Sequence, residues 1–529
     1  MRIIFFILTI FSTVSSANVA PADLVIYNAK LFIQDKISTE YDAVSIKAGK
    51  ISAIFDSSHS PVSPASKQID AQGRLLIPGI IDAHHHSITA TGVGFHIPLG
   101  TMDPSKLQLA EALKEAAVSN PPGTWIFATV GEQIADDESI DAAFLDSIAP
   151  QHKVWISAYY GHGDILNSPA MEALNIRELP EQDWGGHYQR NANGQLTGRI
   201  FEYAQWIPRA ELFNKQDDEA VIAMLQQQAQ QAASFGITGW HDMPMLNFSR
   251  YISLLQKADL PIRVTAIPMP FISVAKNESL PKPQKLNEKV WVQGEKWILD
   301  GTPIERGAAL SAGYADRPGW SGRLNFSEQK VKAILTQAMS KQSQLLLHAA
   351  GDKTLDQILT LMESITGNWE HLRVRIEHGD GFNPELINRA KKLGVIVVQN
   401  PSHMMNPAIS ATRYSADYPV MYLKTLIESG LPVALGSDGP MNPYLNIMFA
   451  RVHAMRPQES IDVATALQLY TRGSAYAGKA DKLRGEIRVG LDADLALLSQ
   501  NILEIPAEAL PGTRSVLTLV GGNVVHNEL

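Results

Sequence analysis

The 529-residue chain has no cysteine, which excludes disulfides, thiolate metal ligands and a lipid-bearing cysteine. Charge is sparse as well: 19% of residues are Asp, Glu, Lys or Arg, the net charge is −9, and no basic block occurs. That leaves no track for nucleic acid and no patch for an anionic membrane, so a small-molecule substrate is the natural partner, and a homodimer is compatible with it. No apolar run is long enough to serve as a stable membrane anchor. The run from Ile3 to Phe11 follows Met1-Arg2 and precedes Ser15-Ser16-Ala17, the three-part pattern of a secretory signal over residues 1–17. Cleavage after Ala17 would release a periplasmic or secreted chain starting near Asn18. Long repeats and low-complexity tracts are missing too, and the Ser- and Pro-rich stretch from Ser57 to Ser66 reads as a surface loop.

What is present is 45% hydrophobic residues, enough for a large core and for an α/β barrel with an accessory domain. From Asp23 to Ile69 short stretches such as DLVIYNAKLFI alternate apolar and polar residues, with turn residues at Asn28 and Gly49, which predicts antiparallel strands. The same texture returns in GEIRVGLDADLALLS and SVLTLVGGNVVH. Both termini, 18–77 and 485–529, are therefore expected to build one small β-sandwich domain.

Residues 78–484 alternate continuous apolar runs with amphipathic stretches, the pattern of parallel strands buried on both faces and joined by helices. The runs are LLIPGII, KWILD, QLLLHA, RVRIEH, GVIVVQN and PVALGSD, and helices are predicted over 327–342 and 383–394. The fold class is α/β, a (β/α)₈ TIM-like barrel, whose chemistry belongs at the carboxyl ends of the strands. The less regular stretch 94–218 carries Trp125, Trp155, Tyr159, Tyr160, Trp184, Tyr188, Tyr203 and Trp206, and reads as an insertion leaning over the barrel mouth.

One run ends in His84-His85-His86. Residues two apart on a strand share a face, so His84 and His86 can converge on an ion while His85 points away. His348, His378 and Asp438 close three further runs in chain order, and five ligand-type residues at strand ends make coincidence a poor explanation. Imidazoles with carboxylates and no thiols suit zinc or a similar divalent ion with a position open for water. Lys296 begins the run KWILD, where an ordinary solvated lysine is the alternative to a functional one. Two ions close together need a bridging anion, and a carboxylated lysine could supply it.

The ordered set PGIIDAHHH, YYGHGDILNS, LTGRIFE, FGITGWHD, KWILDG, LHAAGD, RIEHGD, VQNPSH, LGSDGP and GEIRVGLDADLALL resembles the metal-dependent amidohydrolase superfamily, in the branch that includes N-substituted formamide deformylase, over nearly the whole mature chain. The resemblance implies that His84 and His86 bind a more buried metal and that His348 and His378 bind a more exposed one. Lys296 would bridge two zinc ions as a carbamate, with Glu202 the second candidate for that bridge. Asp438 would bind the buried metal and act as general base. His162, Asn167, Glu202 and His403 fall in motifs that face the substrate. The chain departs from the family in YYGHGD, where relatives often carry Arg or Asp before the His, a difference that bears on the leaving group rather than on hydrolysis.

The reaction implied is hydrolysis of a non-peptide amide-type C–N bond by a metal-activated hydroxide, with Asp438 moving the proton. Deamination or cyclic-amide ring opening is the alternative, for which a mononuclear site without a bridging lysine would be usual. A non-catalytic metal- or solute-binding protein would have no use for Asp438 as a base.

Overall fold

The computed structural model describes residues 22–59, 67–87, 93–176, 183–275 and 278–529. The signal-like residues 1–17 and most of the Ser- and Pro-rich loop lie outside them. Among the described residues, no helix is long and apolar enough to cross a membrane.

The centre is a mixed α/β structure whose apolar runs are strands, as their composition requires. Leu345–Ala349, Arg375–His378 and Ile396–Gln399 are buried at every position and pair in parallel with one another, covered by helices on the outside. The helix Pro384–Leu393 shows how locally its ends are determined. Asn383 caps the amide of Leu386, Pro384 occupies the first turn, Lys391 and Lys392 sit in the last, and Gly394 closes it at φ 67°. The helix expected over 327–342 is observed as Glu328–Lys341.

Eight of these parallel strands fall into two five-stranded sheets rather than one continuous ladder. Strands Ile80–His85, Ile237–Asp242 and Arg263–Ala266 lie in the first; Glu295–Ile298, Leu345–Ala349, Arg375–His378, Ile396–Gln399 and Val433–Leu435 make up the second. The ladder breaks where the chain turns at Gly294 (φ 67°) and beside the three-residue strand Val433–Leu435. Hydrogen bonds still cross both breaks: Lys296 N–H to the Pro268 carbonyl at 2.9 Å, and Asp438 N–H to the His84 carbonyl at 3.0 Å.

The run LLIPGII, expected as one barrel strand, is two. Leu75–Pro78 pairs with Lys30–Ile33 and with Leu495–Leu498, whereas Ile80–His85 pairs with Ile237–Asp242. Gly79 marks the change, because a Cβ there would lie 2.2 Å from Thr238 Oγ1.

Both termini do meet in a single six-stranded sheet, and they share a hydrophobic cluster with the four-stranded sheet of Leu24–Tyr27, Ala43–Lys47, Lys50–Phe55 and Lys67–Asp70. Not all pairing is antiparallel as expected, since Leu24–Tyr27 runs parallel to Lys67–Asp70. Nor do these sheets stand apart from the centre: Arg263 reaches Asp494 at 2.7 Å. The less regular stretch contains a six-stranded sheet from Phe95–His96 to Leu196–Glu202, with its own apolar clusters.

Candidate active site

His84 lies near the end of the strand Ile80–His85, with its Nδ1 2.6 Å from Glu377 Oε2. Arg375 fixes that carboxylate through Nε at 2.8 Å and Nη2 at 3.0 Å. Glu377 and Arg375 are both buried, so the three form a fully internal chain that sets the imidazole's orientation. His84 Nε2 is left facing inward, 3.4 Å from Lys296 Nζ and 3.6 Å from Asp438 Oδ1. His86 is held through Nδ1 by the Met243 carbonyl at 2.9 Å, and its Nε2 also lies 3.6 Å from Asp438 Oδ1. His85 is turned aside and stacks on Trp240 with ring centres 4.4 Å apart.

The other oxygen of Asp438 gathers a second pair, His378 Nε2 at 3.8 Å and His403 Nε2 at 3.4 Å. His403 is anchored from behind by Asp380 at 3.3 Å. His348 packs its ring 4.4 Å from that of His378, but its Nε2 faces the Gly301 carbonyl at 3.3 Å and Asp300 at 3.6 Å. Two groups with ligand atoms within 4.8 Å of one another therefore share Asp438: His84 with His86, and His378 with His403. The resemblance pairs His348 with His378, and the two rings are neighbours here, while His403 adds a further imidazole beside Asp438.

These distances fit a metal centre. Nitrogen and oxygen donors about 2.0–2.2 Å from one ion stand well over 3 Å apart in a tetrahedral arrangement. The Nδ1 of His378 is buried without a hydrogen-bond partner among the described residues. Burial pulls the His84 imidazole down to about 4 and holds those of His348 and His378 well below the usual range, which keeps them in the neutral form a cation requires. Lys296 is buried, not solvated, and its burial pulls the ammonium down to about 8. Burial disfavours the ionised form of Asp438, but the histidines around it outweigh this and hold its carboxyl well below the usual carboxylate range. His403 is likewise disfavoured as a cation by burial, yet Asp380 and Asp438 carry it up to about 10.

Three site residues adopt left-handed backbone conformations that non-glycine residues avoid: His378 at φ 70°, Asp438 at φ 43° and Glu202 at φ 58°. Each sits where a strand ends and the chain must turn while presenting its side chain to the centre.

Above the cluster opens a cavity of about 510 Å³. Its walls include Phe127, Trp155, Tyr159, Tyr160 and Trp206, so part of the aromatic-rich stretch lines the site, while Trp125, Trp184, Tyr188 and Tyr203 do not. His162 lines the cavity, with its Nδ1 3.0 Å from Glu202 Oε1. Glu202 stands behind it and accepts from Asn325 at 2.9 Å.

Asn167 is a correction. Its fully buried side chain accepts from Val154 N–H and Ala170 N–H at 2.9 and 3.0 Å and donates to the His152 carbonyl at 2.8 Å, so it caps the helix Ser168–Ala173 and faces no cavity. Sequence reasoning also missed Glu377, Arg375 and Asp380, which stand inside the motifs RIEH and HGD. A buried acid one residue before a ligand histidine was the available signal.

The sequence profile of the amidohydrolase family matches residues 67–526. The chain belongs to this family. As an amidohydrolase it is a metal-dependent hydrolase acting on C–N bonds. It is 26% identical to the protein LONG AFTER FAR-RED 3 of Arabidopsis thaliana over 96% of this chain and 92% of that one. It is 22% identical to N-substituted formamide deformylase of Arthrobacter pascens over 94% and 97%. The fold resembles that of an uncharacterised metal-dependent hydrolase from Pyrococcus horikoshii OT3, with a TM-score of 0.70 at 21% identity, covering 92% of this amidohydrolase and 99% of that chain.

Proposed function

We propose that the protein hydrolyses a non-peptide amide-type C–N bond in a small molecule. The observation that carries this reading is the convergence of His84, His86, His378 and His403 on the two oxygens of Asp438, at 3.4–3.8 Å. Nitrogen and oxygen donors without sulfur suit two zinc ions, one of which His84 and His86 would hold and the other His348 and His378. Such ions, when bound, polarise a carbonyl and acidify water.

The chain's own groups do the rest. Asp438 takes the proton of the attacking water and hands it to the departing nitrogen. Asp380 holds His403 beside Asp438, where it donates to the polarised oxygen or to the leaving group. Glu202 orients His162, so that its Nε2 faces the substrate. The aromatic wall excludes water and holds an apolar substituent.

The eight parallel strands, joined by the hydrogen bonds at Pro268 and His84, form a (β/α)₈ barrel in this reading. The terminal sheets form its accessory β-sandwich, the stretch 94–218 is an insertion at its mouth, and residues 1–17 are a signal that directs the chain to the periplasm or the medium.

Lys296, as a carbamate, would help to hold both ions. A buried ammonium beside two cations would be repelled, whereas a carbamate would supply one negative charge shared over two oxygens. Metal analysis of the purified protein, with an activity screen over N-formyl, N-acyl and carbamate compounds, tests the reading. Lys296→Ala is expected to lower both metal content and turnover, and Lys296→Glu to recover metal without full activity. Two metals per chain and near-normal rates in Lys296→Ala would overturn the Lys296 bridge; Glu202, the second candidate, is held behind His162 by His162 and Asn325.

A further inference from the structure

His162, Glu202 and Glu305 form another cluster of ligand type, with ligand atoms within 4.8 Å of one another, and none of the three belongs to the groups around Asp438. Three separate segments deliver them: the turn that follows strand Lys153–Ala158, the end of strand Leu196–Glu202, and the loop that follows strand Glu295–Ile298. Gly301 is what lets the two acids close in. A Cβ there would lie 2.7 Å from Glu305 Oε1 and 2.9 Å from Glu202 Oε1, so both oxygens flank one bare Cα.

The charges of this cluster do not balance. Glu202 meets His162 Nδ1 at 3.0 Å and accepts from Asn325 Nδ2 at 2.9 Å, while Glu305 accepts from the Thr302 amide at 2.5 Å and from the Thr302 hydroxyl. Among the described residues neither carboxylate pairs with a lysine or an arginine, which leaves His162 as the one group that can carry positive charge against two acids. Burial pushes the Glu305 carboxyl up to about 7, and the nearby His162 does not make up the difference.

Two carboxylates with an imidazole are also the donor set of a borderline divalent ion. Donors about 2.0–2.2 Å from a tetrahedral ion stand about 3.3–3.6 Å apart, so His162 Nδ1 and Glu202 Oε1 need to part by only about half an ångström to admit one. His162 and Thr302 line the cavity, which gives an ion its way in.

We infer that His162, Glu202 and Glu305 hold a further divalent cation, zinc or a similar ion, which shares no ligand with the centre around Asp438. The His162 ring lies 5.0 Å from that of His348, so the two sites adjoin. An ion on Nδ1 displaces the proton there and keeps the neutral ring's proton on Nε2, which makes His162 a fixed donor toward the cavity. Only that last consequence rests on the amide-hydrolase reading above; the ion itself does not.

Equilibrium dialysis of the full chain against buffered zinc, followed by metal analysis, gives the count. Glu305→Gln keeps the shape of the side chain, and the Thr302 hydroxyl can turn to accept from its amide. At the free zinc concentration that saturates the wild type, this variant is expected to hold one zinc fewer per chain. His162→Gln serves if Glu305→Gln does not fold, with the same loss expected.

Anomalous diffraction at the zinc edge from zinc-loaded crystals locates the ion that is lost. The wild type is expected to show a peak bounded by His162, Glu202 and Glu305, and the variant to lack that peak alone. Zinc there with none around Asp438 would keep this site and sink the hydrolase reading. Equal counts in wild type and variants, or peaks around Asp438 only, would overturn the site. A variant that instead loses a peak beside Asp438 would overturn it too, since the cluster would then only support the neighbouring centre.

Discussion

The floor and the wall of the cavity are built differently. On the floor, three of the histidines have a dedicated partner behind them: Glu377 behind His84, Met243 behind His86, Asp380 behind His403. On the wall stand the aromatic side chains of Phe127, Trp155, Tyr159, Tyr160 and Trp206, with Arg209 among them. A site that must hold ions needs fixed donor positions, so its residues are locked by buried hydrogen bonds from distant strands. A site that must accept an organic group needs shape and exclusion of water, which packed rings supply.

If that contrast is right, the largest effect comes from the floor. Asp438→Asn is expected to lower kcat by about 10²–10⁴-fold, since it loses the proton acceptor and an anionic ligand at once. Steady-state kinetics with metal content measured on the same sample separates the two losses, and a full metal complement with an unchanged rate would remove Asp438 from catalysis.

Next comes the layer behind the floor. Glu377→Gln keeps the shape but leaves Arg375 without its buried counterion and weakens the orientation of His84. It is expected to weaken metal affinity about 10- to 100-fold, as titration against a chelator would show.

Acid treatment sharpens the comparison in another way. His84, held at about 4, and His241, held at about 3 by burial and Arg375, are neutral in the folded chain while their unfolded counterparts protonate near 6.5. Between pH 6.5 and 4 the unfolded state binds more protons, so stability falls with pH by about 1.4 kcal/mol per unit for each histidine. His403, raised to about 10, acts in the opposite window, its contribution present below pH 6.5 and lost as pH rises toward 10. Chemical denaturation of metal-free protein across pH 4–7 checks the slope, and Glu377, held at about 2, adds its own loss only below about pH 4.5.

The smallest effect on chemistry is expected beside the wall, where Asn167→Ala strands buried backbone groups and removes a helix cap. Stability should drop by about 2–3 kcal/mol, with KM and kcat unchanged in the remaining folded protein. A changed KM would return Asn167 to the substrate.

Motif spacing made the histidines and Asp438 legible because strands that end in a row deliver their last residues to one face. Lys296 was legible only through resemblance, since a lysine at the start of a run reads the same whether buried or solvated. Glu377 was hidden for a related reason: alternation along a strand cannot show that the residue beside a ligand touches a histidine 293 positions away. Asn167 was misplaced because an asparagine before Ser168-Pro169 has a local use, as a cap, that motif membership obscured.

What the amino-acid order determined by itself is what short-range physics decides: apolar runs buried on both faces, helix ends capped at Asn383 and Gly394, and which residues stand at the ends of strands. What only the tertiary structure decided is which of those ends meet. It brought His403 beside Asp438 and His378, divided LLIPGII between two sheets at Gly79, and turned Arg209 to the cavity. Those outcomes depend on close packing between segments hundreds of residues apart, where a Cβ at Gly79 or a turn at Gly294 matters and no local pattern records it.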